Sequence, residues 1–297
     1  MNQLPEIDLP PGRHRLLKEH LLTEIRQEPE TVRPRRPWLR PALIAGAVAA
    51  ATAVAFTVAV PSGSSDPAEG KEAAALWEDI ALAAERTAVP GGIRDDQFVY
   101  VKSKVSWSGY DAATGAGTIE PVRVREAWES VDGTRRGAVT DLYRKFDRSP
   151  VDADPQDCYR NLQTLPTDPD KMYDWLNRTS HGTNSKNEAN FVLVADLVNE
   201  SLIPPAQAAA LYRAAARIPD VHVVDDAVDA AGRHGVAIAR DDRGRRFELI
   251  FDKETKEYLG ERQVALKDLA QGVEKGDVIA RTAVLERAVV DKVGERP

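Results

Sequence analysis

Gly235-Val-Ala-Ile-Ala-Arg-Asp-Asp-Arg-Gly-Arg-Arg-Phe-Glu-Leu-Ile-Phe251 decides the fold class. Two runs of strand-like composition, 235–240 and 245–251, flank Asp241-Asp242-Arg243-Gly244, whose residue types favour a tight turn. Val221-His222-Val223-Val224 precedes them and Glu257 to Leu266 follows. Such short spacing between strands implies an antiparallel meander. Val278 to Val293 supplies either one more strand pair or one long edge strand.

Working back towards the N-terminus, Gln97 to Trp107 alternates, with Phe98, Tyr100, Lys102, Lys104 and Ser106 on one face. Val99, Val101, Ser103, Val105 and Trp107 form the other face. Val122 to Val131 alternates as well, Asp132-Gly133 signals a hairpin, and Arg135 to Thr140 returns. The middle of the chain changes period. The stretch 147–157 is rich in Asp and Pro and predicts a loop. Asp168-Pro169 sets a cap residue before a first-turn proline, opening a helix through Met172, Trp175 and Leu176. Asn187 to Asn199 and the segment after Pro204-Pro205 predict two more. Ala68 to Ala88 predicts a helix with Ala75, Leu76, Ile80, Leu82 and Ala83 on its apolar side. The whole of 68–297 therefore predicts an α+β domain, an antiparallel sheet packed on helices.

Upstream of that domain the composition is different. Ala42 to Val60 is 19 residues without a charge, close to the roughly 20 that cross a hydrocarbon core. Arg33, Arg35, Arg36 and Arg40 precede it, and no basic residue follows until Lys71. Positive charge stays on the cytoplasmic side, so residues 1–40 are expected inside, 41–61 across as one transmembrane helix, and 62–67 as a linker to an extracytoplasmic domain. A buried soluble helix would leave the one-sided arginine cluster unexplained. A cleaved signal peptide normally has a shorter charged region and a shorter apolar core, although Ala53-x-Ala55 fits a cleavage site. The expected location is the cell membrane, single-pass, N-terminus cytoplasmic.

Within 1–40, Arg13 to Glu28 predicts a helix with Leu17, Leu21 and Ile25 four apart and Leu16 and Leu22 widening the stripe. Pro29, Pro34 and Pro37 end it. An isolated helix of this length is marginal in water, so its apolar face needs a cover. Leu16, Leu17, Leu21 and Ile25 would dock in a groove of a cytoplasmic protein partner, or the helix would lie on the inner leaflet, helped by its basic residues. The alanine-rich span offers small-residue faces for self-association.

Charge and motifs narrow the function classes. The net charge of −7 lacks the basic footprint of a general nucleic-acid binder, so no direct nucleic-acid partner is expected. There is no Gly-x-Ser-x-Gly, no phosphate loop and no His-Glu-x-x-His. His14 and His20 have no cysteine beside them to complete a zinc site. Asp152-Ala153-Asp154 opens like a calcium loop, but Asp157 and Gln163 stand where that loop needs Gly and Glu. Gly115-Ala116-Gly117 lacks the rest of a dinucleotide fingerprint. His222 with Asp225, Asp226 and Asp229 is better explained by turn chemistry, and His181, Asp196 and Ser201 make a triad only by free choice. No enzyme, cofactor or metal is expected. The one cysteine, Cys158, follows an Asp/Pro loop and is expected to be partly exposed. Trp77, Trp107, Trp128 and Trp175 fit core packing; alternatively Trp107, Trp128 and Trp175 line an apolar groove between sheet and helices that could hold a lipid, an acyl chain or a lipoprotein segment.

Leu9-Pro-Pro-Gly-Arg-His-Arg-Leu-Leu-Lys-Glu-His-Leu21, the single span, Leu165-Pro-Thr-Asp-Pro-Asp170 and the closing Ala288-Val-Val-Asp-Lys-Val-Gly-Glu-Arg-Pro297 resemble an actinobacterial family of single-pass membrane proteins. Members are often encoded beside an extracytoplasmic-function sigma factor. The resemblance points to the neighbouring sigma factor as the cytoplasmic partner and carries neither a mechanism nor catalytic residues; the expectation of a non-enzymatic envelope sensor or regulator comes from the amphipathic tail, the single span and the large outer domain. The order of elements in the outer domain also resembles the Lol-type lipoprotein-carrier fold, a curved sheet wrapped around helices that periplasmic sigma regulators also use.

Overall fold

The computed structural model describes residues 67–110, 117–141, 149–152, 157–181, 185–269 and 272–297. The expected inside helix, the expected span over 42–60 and most of the linker lie outside these residues. Among the described residues no helix is long and apolar enough to cross a membrane.

Helix α1 (Pro67–Glu85) leads into β1 (Phe98–Tyr110), β2 (Gly117–Ile119), β3 (Arg123–Ser130), β4 (Gly137–Asp141) and β5 (Ser149–Val151). Four helices follow: α2 (Tyr159–Leu162), α3 (Pro169–Thr179), α4 (Lys186–Glu200) and α5 (Pro205–Ala215). The chain then runs through β6 (Val221–Val228), β7 (His234–Asp242), β8 (Arg245–Phe251), β9 (Tyr258–Ala265) and β10 (Val278–Val290). The strands form one large antiparallel sheet in the order β5-β4-β3-β1-β10-β9-β8-β7-β6, with β2 paired to β1. The domain is therefore α+β, with helices packed on a large antiparallel sheet.

Local chemistry accounts for the joints. Arg243 and Gly244 both take left-handed φ, 47° and 83°, and Asp242 pairs with Arg245. That is the two-residue hairpin turn whose twist matches the strands. The Asp132-Gly133 turn joins β3 to β4, with Asp132 Oδ1 accepting from the Thr134 amide at 3.0 Å and from the Ser130 hydroxyl at 2.7 Å. The first turn of α3 is capped by Asp168, which accepts from the Lys171 amide, and α4 is capped in the same way by Ser185 and the Glu188 amide.

The main core lies between the helices and one sheet face. Trp77, Ile80, Met172, Leu176, Val194 and Leu211 from the helices meet Val221, Ile238, Leu249 and Phe251 from the strands. Val99, Val101 and Val284 extend this face towards Tyr159. The opposite face carries two smaller clusters, Phe98, Tyr100, Trp128, Ala138 and Val290, and Ala227, Ala237, Ile250 and Leu259. Both faces of β1 are thus buried, and its residues 98–101 are all less than 10% exposed.

Five expectations need correction. The buried face of α1 is Ala73, Trp77, Ile80 and Ala81, while Ala75 is exposed and Leu82 is 37% exposed. In so alanine-rich a helix several stripes look apolar, and the large indole selects the one that is buried. The segment 278–290 is one long strand, but it sits inside the sheet between β1 and β9 rather than at an edge. Part of the presumed loop 147–157 is β5, a three-residue strand beside β4, where Pro150 is tolerated because the strand is at the edge. Asp225 and Asp226 belong to β6, at the register shift between Val224 and Ala227, not to the turn beyond. Cys158 is buried, and its sulfur caps α2 by accepting from the Asn161 amide at 3.4 Å.

The close approach of β9 to β10 depends on a missing side chain. A Cβ at Gly260 would collide with the Thr282 carbonyl and crowd Ala283 Cα. Gly260→Ala should therefore lower the thermal midpoint by several degrees, an effect of about 1–3 kcal/mol. An unchanged midpoint would mean the two strands are not in this register.

Candidate functional site

The layer between helices and sheet holds a continuous run of rings. Trp77 stacks on Tyr212 at 5.7 Å and meets Phe251 edge-on at 5.9 Å. Phe251 is in turn edge-on to Tyr212 at 5.8 Å and to Tyr258 at 5.6 Å. Offset and edge-to-face contacts at these spacings are the favourable ones, so the centre of the layer is filled by side chains. Burial pushes the Tyr212 phenol up to about 12 and raises that of Tyr258 as well. Both remain neutral donors throughout the physiological range.

The three tryptophans expected to line one groove are spread over three places. Trp175 is half-buried on α3 against the main core. Trp107, near the end of β1, has the Arg123 guanidinium 4.8 Å from its ring centre. Trp128 is fully buried in the cluster with Tyr100, on the sheet face opposite Val99 and Val101. Strand alternation puts Trp107 in phase with Val99 and Trp128 on the other side, so the structure does not bring the three together. Leu16, Leu17, Leu21 and Ile25 lie outside the described residues.

The Tyr100–Trp128 face is closed by the end of the chain. Trp128 Nε1 donates to the Glu295 carbonyl at 2.6 Å, and Arg296 donates to both oxygens of Glu126 at 2.7 Å. Tyr100 donates to the same carboxylate at 2.6 Å. Glu126 is only 3% exposed. The Arg296 hydrogen bonds hold its carboxyl below the usual carboxylate range against the opposing effect of burial, and the Tyr100 hydroxyl assists. A carboxyl lowered in the folded state stabilises above its unfolded value, about 4.3, and that contribution is lost as pH falls through the folded value. Glu126→Gln should be less stable than wild type at pH 7 and should show a shallower loss of stability between pH 5 and pH 3. Parallel acid limbs in chemical unfolding would contradict this.

Histidine and carboxylate groups are dispersed. Asp226 pairs with His234 at 3.0 Å and with Lys253 at 3.2 Å, and Asp229 pairs with Arg233 at 2.7 Å. His222 lies 3.9 Å from Asp241, which is itself engaged by Arg246 at 2.8 Å. His181 precedes α4 and Ser201 caps its far end, a helix roughly 22 Å long, so no triad forms. Among the described residues no group of three or more His, Cys, Asp or Glu is placed to hold a metal.

No family model matches the chain. No curated protein matches it either. The functional reading therefore rests on the residues themselves.

Two arginines that sequence reasoning passed over lie on the helix-facing side of the sheet, at opposite ends of α4. Arg287 of β10 donates through Nη2 to the Val198 carbonyl and lies 5.9 Å from the Tyr258 ring centre. Burial lowers its pKa from the usual arginine value. Arg240 of β7 lies at the N-terminus of α4, with Nη2 3.4 Å from Ser185 Oγ. The available signal was phase: Arg240 alternates with Val236 and Ile238 on the inward face.

Proposed function

We propose that this protein is a non-enzymatic, membrane-anchored regulator that couples an extracytoplasmic α+β domain to a cytoplasmic partner, a sigma factor being the partner that the family resemblance implies. The observation that carries the reading is the order of parts along the chain. An amphipathic stretch over 13–28 precedes an arginine-flanked uncharged run of 19 residues, and a large domain follows. Leu16, Leu17, Leu21 and Ile25 would occupy a groove on the partner and hold it at the membrane. Pairing of spans through alanine faces would let a change outside be felt inside.

The described domain supports coupling in one respect. Its first element, α1, begins seven residues after Val60 and carries Trp77, which is 0% exposed, into the centre of the core. A pull passed along the 62–67 linker would act on an element that is anchored in the core. The direct packing of Trp77, Tyr212, Phe251 and Tyr258 on one another puts rings at the place between helices and sheet where an acyl chain would lie, which supports regulation over carriage.

Coupling requires two compartments, and topology is the first test. Protease added to spheroplasts should remove a C-terminal tag and spare an N-terminal one. A protected C-terminal tag would contradict the proposal.

A further inference from the structure

An arginine from the sheet meets each end of α4, and ordinary helix physics explains only one of them. At the C-terminal end, α4 has no basic residue in its last turn. Arg287 supplies the charge from β10 and donates to the Val198 carbonyl, among the last four that an α-helix leaves without an internal donor. A cation there is favoured by the helix dipole.

At the N-terminal end the same dipole disfavours a cation, yet Arg240 stands there, only 6% exposed. Its Nε and Nη1 have no hydrogen-bond partner, and its Nη2 donates to the Ser185 hydroxyl at 3.4 Å. No described carboxylate forms an ion pair with it, which is unusual because buried charges are normally paired. Around it are further unmet needs. The amides of Lys186 and Asn187 open the helix and have no internal acceptor; the Glu188 amide is taken by Ser185 Oγ at 3.1 Å. Two residues along the same strand face, Asp242 has a buried Oδ2 with no donor. Glu188, 7% exposed in the first turn, tempers the positive charge. Ser185 and Lys186 are exposed, so the rim of this corner meets solvent, while the Arg240 nitrogens and Asp242 Oδ2 lie beneath it.

Arg240 and the helix amides need acceptors, whereas Asp242 needs a donor. A protonated phosphate group supplies both. We propose that Arg240, the first turn of α4 and Asp242 form a binding site for hydrogen phosphate or the head of a phosphomonoester. Phosphate oxygens accept from Arg240 Nε and Nη1 and from the amides, as anions do at helix N-termini. The remaining P–OH donates to Asp242 Oδ2. Sulfate carries no proton near neutrality and would face the Asp242 carboxylate directly. This site does not depend on where residues 1–40 lie or what they bind.

Calorimetric titration of the full-length protein in nanodiscs at pH 6, where about half of a phosphomonoester is protonated, tests the site. Inorganic phosphate and glycerol phosphate should bind saturably, at least about tenfold more tightly than sulfate. Arg240→Gln should abolish binding. Asp242→Asn exchanges an acceptor for a donor and should remove the preference for phosphate over sulfate; because it sits at the strand end, it keeps the test decisive if Arg240→Gln fails to fold. Co-flotation with phosphatidic acid vesicles separates the sources: Arg240-dependent capture assigns a lipid headgroup, and phosphate binding without capture assigns a soluble ligand. The proposal is overturned by no saturable phosphate binding up to about 10 mM, by equal binding of sulfate, or by selectivity unchanged in Asp242→Asn.

Discussion

Trp77→Ala should cost the α+β domain about 3–5 kcal/mol, much of the 5–15 kcal/mol that holds an ordinary domain folded. The indole is 0% exposed and touches both Tyr212 and Phe251, so its removal leaves a cavity and strips two rings of a partner. Trp77→Phe should recover most of the loss, because it keeps a ring in place and deletes an indole N–H that is buried without an acceptor. Leu82→Ala, on the same helix but 37% exposed, should change stability by less than about 0.5 kcal/mol. Urea unfolding followed by circular dichroism gives all three midpoints. A large loss at Leu82 with a small one at Trp77 would mean that α1 is rotated from the orientation described.

That contrast also marks where the sequence was legible. Turn chemistry was readable because it is local: Asp241 to Gly244 and Asp132-Gly133 specify backbone conformations from their own residues, and Asp168-Pro169 caps its own helix. Strand alternation was readable for the same reason. What depends on distant neighbours was not. Nothing in 278–290 says that β1, nearly 200 residues earlier, returns to pair with it and makes it central rather than an edge. Alanine spread all round α1 left several stripes equally apolar, and the packing of Trp77 against Phe251 of β8 decides which one is buried. The tryptophans read as a set only because they share a residue type; Trp107 and Trp128 fall on opposite faces of one sheet. Arg240 was visible as a charge in the inward phase of 235–240, but its isolation depends on which side chains the helices bring to it.

The central proposal, that the amphipathic stretch 13–28 docks a protein partner, has a second large expected effect. Leu17 and Leu21 lie four apart, so both occupy the same stripe of a helix. Burying a carboxylate in an apolar groove without a partner costs several kcal/mol, and each 1.4 kcal/mol is a factor of ten in affinity. Leu17→Asp/Leu21→Asp should therefore weaken docking by at least about a hundredfold. The opposite side of the helix offers a control, since Glu19→Lys, about half a turn round from the Leu17–Leu21–Ile25 stripe, should leave docking within a few fold. The direct measurement is capture of the full-length tagged protein from its own cells after brief cross-linking, comparing these forms. The account predicts that wild type and Glu19→Lys bring down a sigma factor and that Leu17→Asp/Leu21→Asp does not; the same sigma factor captured in equal yield by the double variant, or none captured by wild type, would contradict it.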